Sequence, residues 1–576
     1  MIEYCDVFHR LELHFKSAGT YRHPFIEVTA LAEFHGPDGA HITQSAFFDG
    51  DDTWTVRFVP HAAGLWHYRM SSFPEDGGLC ASGDILVEEC DAFGKQGFLR
   101  AFPGEGWGLR FDGGEDLLVI GDTMYNLFGA AYCGVDVRKI LDKRKAQGHN
   151  LIRVKFNPTP FQFGFKTAPW YNRPAYPWAG TPEMPDYAAF NLEYFRAVDI
   201  VLELCEEFGI GVELIVMPFS YELPMTDRVH FLPEHQELYV RYIVSRCAAY
   251  KSLYFWDVAN EYNQYALGLI DFFNGPLEEL VCARYAERIA GLIRRDDAYR
   301  HPVGVHDTAS GSAAVKPLKE RFNPRSGIDV LFFQSWGSLS DRRGKAFCSG
   351  LDQAIRTHVW SDRYVGILAE YGYEHKADLA SWPDFAKGLG PAHTRRGAWR
   401  ALMSGVHVLC GYENTSVTVL EAENDVPGVK YIRHMRDFFN SVVDFSAYRP
   451  NDGLALDKLE QEKPEDERTL CLADADASSV VAYLPAGGRV GMRYAREAIP
   501  DAFWFDPISG ALAKAEASGR TDDCILFAAP PGTDEDGYGK DWTLLLNKGL
   551  APGADGRGVE RISKPIETGD ELCKEK

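Results

Sequence analysis

The first ninety residues alternate apolar and polar side chains with a period of two. Leu11, Leu13 and Phe15 interleave with Glu12, His14 and Lys16, and Trp54, Val56 and Phe58 interleave with Thr53, Thr55 and Arg57. This pattern predicts half-buried strands with one face toward a core. Turn signals separate them at GPDG (36–39), FDGDD (48–52) and EDGG (75–78), as an antiparallel sandwich requires. From about Gly108 the texture changes. Short apolar runs alternate with helical stretches such as the one in which Phe195, Val198, Leu202, Cys205 and Phe208 recur at three- and four-residue spacing before Gly209. The alternation predicts parallel strands covered by helices. The runs are 117–121, 151–156, 211–217, 253–258, 303–305, 330–333, 365–369 and 406–410, and eight is the number a closed barrel needs. Beyond about Pro450 the helical period fades, and 470–472, 479–484, 502–505 and 542–546 recur between Gly, Pro and Asp turns. The expected architecture is therefore an N-terminal β-sandwich over 1–92, a (β/α)8 barrel over 93–449, and a C-terminal β-sandwich with a polar tail over 450–576.

Composition narrows the partners. The 576 residues are 45% hydrophobic and carry a net charge of −23, a field that repels nucleic-acid phosphates and anionic membranes. The longest apolar runs fall far short of the ~20 residues of a spanning helix. The amino-terminal segment MIEYCDVFHRLELHF is interrupted by charges and has no apolar export core, so cytoplasm is expected unless a leader has been removed. Twelve cysteines without a CxxC pair are read as isolated buried thiols. The oligomeric state stays open, a homo-oligomer being compatible with the sequence.

In a parallel barrel, reactive groups sit at the carboxyl ends of the strands. Two carboxylates stand there: Glu261 after LYFWDVAN on strand four and Glu370 after VGILA on strand seven. These two strand ends face each other across a barrel mouth, the arrangement in which one carboxyl protonates a leaving glycosidic oxygen while the other attacks or stabilises the anomeric carbon. Arg153, in the apolar run NLIRVKF, is the expected cation beside the nucleophile, because a buried arginine needs a carboxylate. Asn260 is suited to a sugar hydroxyl. His306, Gln334 and Trp336 follow strands five and six, and Asp122 and Tyr125 follow strand one; all are candidate substrate ligands. The long gap after strand two carries Trp170 and Trp178 among prolines, an aromatic loop for the barrel mouth. HExxH, GxSxG, GxxxxGK[ST] and paired-cysteine motifs are all missing, so neither metal nor cofactor is expected. GEGWG (104–108) is read as a turn.

At ANE (259–261) and LAE (368–370) the sequence resembles clan A glycoside hydrolases, barrel enzymes with an Asn-Glu acid/base after strand four and a Glu nucleophile after strand seven. GHNLIRV (148–154) is similar to their strand-two signature. The segment FFDGDDTWTVRFVPHAAGLWHYRMSS (47–72) is similar to a sandwich preceding many such bacterial barrels. LLVIGDTMYNLF (117–128), VVAYLPAGGRV and FWFDPISGAL resemble apiosidase-like bacterial hydrolases with a C-terminal collagen-binding-type sandwich. The resemblance implies a retaining glycosidase without cofactor, with Glu261 as acid/base and Glu370 as nucleophile, acting on plant or microbial oligosaccharides or polysaccharides. MPFSY after strand three and FQSWG after strand six depart from common members, so sugar identity does not transfer. A non-catalytic carbohydrate-binding protein and an inverting glycosidase are the alternatives.

Overall fold

The computed structural model describes residues 2–89, 96–158, 175–220, 222–264, 276–308, 316–335, 347–374, 389–412, 425–457, 459, 463–494, 501–547, 550–552 and 559–561. The chain divides into two compact units, Met1–Val429 and Lys430–Lys576. The first unit contains a closed barrel of eight parallel strands: β1 (Ile120–Thr123), β2 (Leu151–Lys155), β3 (Gly211–Met217), β4 (Leu253–Ala259), β5 (Val303–Asp307), β6 (Val330–Gln334), β7 (Val365–Glu370) and β8 (His407–Cys410). Every apolar run singled out in the sequence supplies one strand. All seven residues of β3 and all seven of β4 are buried, because helices cover the outside of the barrel while side chains fill the inside.

The floor of the barrel is closed by a hairpin, Leu99–Ala101 with Leu109–Phe111. Leu99, Leu109 and Phe111 pack against Val119, Leu151, Tyr254, Val330 and Val365. GEGWG is the turn of that hairpin, with Gly104, Gly106 and Gly108 at positive φ, a conformation glycine adopts without the clash of a Cβ.

The N-terminal sandwich pairs a five-stranded sheet with a three-stranded one formed by Leu11–Lys16, Thr53–Phe58 and Phe47–Gly50. Phe34 and Phe58 stack between the sheets at 4.0 Å, and Trp66 meets Phe58 at 5.1 Å. The period-two pattern of Thr53–Phe58 predicted one solvent-facing side, yet Thr55 and Arg57 are buried. The reason is that the second face of this sheet is covered by barrel helices. Arg57 donates to Asp199 on the helix Leu192–Phe208 (2.8 and 3.0 Å), and Arg246 on the helix Pro233–Cys247 donates to the same carboxylate (2.6 Å). The two cations hold Asp199 below the usual carboxylate range once its burial is offset.

The second unit is a sandwich in itself. Its six-stranded and four-stranded sheets enclose Val480, Leu484, Trp504 and Leu544 from one and Val490, Met492 and Phe527 from the other. Its strands include Leu470–Ala473, Val480–Leu484, Asp501–Phe505 and Trp542–Asn547, where the sequence pattern put them.

Asp199→Ala would leave two buried guanidinium groups without their shared carboxylate. A loss of ~3–5 kcal/mol is expected, read as a lower urea or thermal midpoint of the barrel unit. An unchanged midpoint would show that the bridge adds no net stability.

Candidate active site

Arg153 lies on β2 with no solvent exposure, directly opposite Glu213 of β3 in the strand register. Its Nε donates to Glu213 Oε1 at 2.9 Å, its Nη1 donates to Glu370 Oε1 at 2.7 Å and to the Tyr125 hydroxyl at 2.9 Å, and its Nη2 donates to Asn260 Oδ1. One guanidinium therefore ties together β2, β3, the end of β4 and the end of β7. The Tyr125 hydroxyl donates to Glu370 Oε1 as well and lies 3.2 Å from the Tyr373 hydroxyl, which is itself hydrogen-bonded to Glu370. Gly411 makes room for Tyr373, since a Cβ there would fall 1.8 Å from Tyr373 Cδ1.

Glu261 approaches from the opposite rim. Its backbone adopts a left-handed conformation, φ +54°, sparsely populated for a residue with a Cβ and a common source of local strain at functional sites. Its backbone N–H donates to His306 Nδ1 at 3.2 Å, and its carboxyl accepts from Gln334 Nε2 at 2.7 Å. A bulge between Phe333 and Gln334 puts Gln334 beside Glu370 in the β6–β7 register, re-aiming both at the strand end. Because His306 Nδ1 accepts, the ring proton belongs on Nε2, which faces Glu370 Oε1 at 3.9 Å. His306 is neutral: burial, with Arg153 adding to it, pushes its pKa well below the usual imidazole value.

The two glutamates thus occupy contrasting surroundings. Burial pushes the Glu261 carboxyl up to about 8, and the negative charge of Glu370 adds to the rise, while the Gln334 hydrogen bond and Arg153 work against it. Glu370 receives the Arg153 cation and tyrosine hydroxyls. The amide nitrogen of Asn260 and Nε2 of His306 are buried without a hydrogen-bond partner, so both can serve a ligand hydroxyl.

Seven of the sequence-predicted residues converge here: Glu261, Glu370, Asn260, Arg153, Tyr125, His306 and Gln334. Two are placed elsewhere. Asp122 is fully buried, and its Oδ2 accepts from Arg144 Nε at 2.7 Å, so its carboxylate is turned to the covering helix Val137–Ala146 and is assigned to a structural ion pair. Trp178 is buried in an aromatic cluster with Tyr187, Phe231 and Tyr239 at 5.0–5.8 Å; it anchors the hairpin Trp178–Thr181/Met184–Phe190 and offers no face to a sugar. Trp170 and Trp336 lie outside the described residues. Sequence reasoning missed Tyr373, Glu213, Asp257 and the ion pair of Lys155 with Glu222 (Nζ to Oε1 2.7 Å, to Oε2 2.6 Å). The available signal for Glu213, Asp257 and Lys155 was a charged residue inside an otherwise apolar strand. Among the described residues, no group of three or more His, Cys, Asp or Glu side chains is arranged to hold a metal ion.

A closed parallel barrel with an Asn-Glu pair ending strand four, a glutamate ending strand seven and an arginine between them defines a glycoside hydrolase of the barrel type. A family model described as "Apiosidase-like, catalytic domain" matches residues 107–444, more than half of the chain. The chain belongs to this apiosidase-like family and is a glycosidase. Residues 4–73 match a domain of unknown function (DUF5060), and 457–547 match a "Putative collagen-binding domain of a collagenase". Among solved structures, the chain is similar to a "putative glycoside hydrolase" from Bacteroides vulgatus (16% identity, 94% of this chain and 99% of that one, TM-score 0.67). It is also similar to a glycoside hydrolase family 5 protein from the same organism (15% identity, 79% and 93%, TM-score 0.55). At such identities the likeness is one of fold. No curated protein matches the chain.

The raised Glu261 carboxyl is expected to be protonated at neutral pH and to lose its proton around pH 8, measurable by carbon NMR titration of labelled glutamate in wild type against Glu261→Gln. In Gln334→Leu the ionised form loses a hydrogen-bond donor, so the midpoint should move upward; a downward move would contradict the assigned contact.

Proposed function

We propose that the protein is a retaining glycosidase in which Glu370 is the nucleophile and Glu261 the acid/base. The observation that carries the reading is the contrast between the two carboxyls: one takes the Arg153 cation, the other is kept protonated through neutral pH by burial and by its neighbour. Such a divergence assigns acid and nucleophile roles. In the first step the Glu370 carboxylate attacks the anomeric carbon as the glycosidic C–O bond breaks, and the Glu261 proton passes to the leaving oxygen. In the second, the Glu261 carboxylate takes a proton from water, whose oxygen bonds to the anomeric carbon while Glu370 departs. The unpartnered Asn260 amide would hold a sugar hydroxyl next to the reacting carbon, a contact that strengthens as positive charge develops there. His306, neutral and with its proton on Nε2, adds a second donor without competing with Arg153 for the carboxylate. The substrate class that fits is an oligosaccharide or polysaccharide of plant or microbial origin.

Glu370→Gln should abolish turnover while leaving the fold intact by circular dichroism; wild-type rates would remove Glu370 from the nucleophile role. Glu261→Ala is expected to cost ~10²–10⁴ on unactivated glycosides and least on aryl glycosides with good leaving groups, and equal losses on both would make Glu261 structural. Proton NMR of the first-formed product should show the anomer of the substrate; the opposite anomer would establish inversion.

A further inference from the structure

Two buried carboxyls lie beneath the catalytic pair, Glu213 on β3 and Asp257 on β4, both fully shielded from solvent. Arg153 Nε donates to Glu213 Oε1 at 2.9 Å, and Asp257 Oδ2 stands 3.7 Å from Arg153 Nη2. Asp257 Oδ1 accepts from the backbone of Ala259 at 3.3 Å. The remaining oxygens, Glu213 Oε2 and Asp257 Oδ2, are buried and, apart from the longer contact of Asp257 with Arg153, face no N–H or O–H donor, yet the two carboxyls are close enough to hydrogen-bond each other.

An ionised carboxylate only accepts. Two of them cannot form that bond, and their like charges in a dry interior repel strongly. A single proton between them satisfies both orphaned oxygens and removes the repulsion. It also changes the balance at Arg153. With both acids ionised the guanidinium would answer to three carboxylates, Glu213, Asp257 and Glu370; with one proton shared it answers to two.

We propose that Glu213 and Asp257 hold one proton between them, and that this proton leaves enough of the Arg153 charge for Glu370; the pair acts through Arg153 and positions the nucleophile's charge. Burial supports the same state, raising both groups, Asp257 to about 7 and Glu213 well above the usual carboxylate range. Among the described residues, the other groups facing Glu370 are Tyr125 after β1, Tyr373 beyond β7, His306 on β5 and Glu261 after β4, and none of these changes in the variants chosen.

A single amide, Glu213→Gln or Asp257→Asn, keeps one negative charge and one donor, as the shared proton does. Each single variant should therefore leave the acidic limb of the kcat/KM profile in place. The double variant removes the remaining negative charge beside Arg153 and should move that limb down by roughly one pH unit. This arm rests on Glu370 being the nucleophile. An infrared arm does not: at neutral pH the difference spectrum between wild type and either single amide should show the loss of a protonated carboxylic acid carbonyl band. If one variant fails to fold, the other carries the same measurement. Absence of that band from the difference spectra, or a limb shift in each single amide of about half that in the double, would mean both acids are ionised and would overturn the proposal.

Discussion

A guanidinium with no access to water has to be surrounded by acceptors, since an unpaired charge at such depth costs several kcal/mol. In this protein that requirement organises the centre of the barrel. Arg153 donates four hydrogen bonds to partners from four places in the chain, Glu213, Glu370, Tyr125 and Asn260. Each partner is held at a strand or strand end of the closed barrel, so the distances between them are fixed by the register of the sheet. The catalytic geometry is to that extent a by-product of burying one cation well.

Two further devices complete the placement. The bulge at Phe333/Gln334 turns an amide toward Glu261 from the strand beside Glu370, so one short segment of β6 reports on both carboxyls. Outside the barrel, the shared carboxylate of Asp199 joins a sandwich strand to two covering helices. Those helices follow β2 and β3, the strands that bring in Arg153 and Glu213. Rigidity outside the barrel thus supports the part of the wall on which the guanidinium depends.

Much of this was legible in the sequence. Short apolar runs bounded by turn residues marked every barrel strand, because strands buried on both faces leave a continuous apolar signature. The polar residues following the runs pointed to six side chains that meet in the site, and a lone cation inside the second run pointed to the seventh, Arg153. The same rule misplaced Asp122, where an arginine on the neighbouring helix captures the side chain, and pattern alone cannot say on which side of a strand a partner waits. Trp178 was misplaced for a related reason: an aromatic residue near a barrel mouth looks the same in sequence whether it meets sugar or other rings. Glu213 and Asp257 passed unnoticed because the search looked past the strands for chemistry, whereas their significance lies in pairing across the interior. The burial of Arg57 was hidden by its alternating pattern, which describes a sheet with a wet face and carries no word of a domain docked upon it.

The left-handed backbone at Glu261 has a cost of order 1–3 kcal/mol, and glycine would bear it without strain. The chain keeps a long acidic side chain there regardless, braced by an imidazole that receives its peptide hydrogen. On the acid/base role proposed for Glu261, local stability and catalytic competence pull in opposite directions at this one residue, and a search for sturdier variants would first erase activity there.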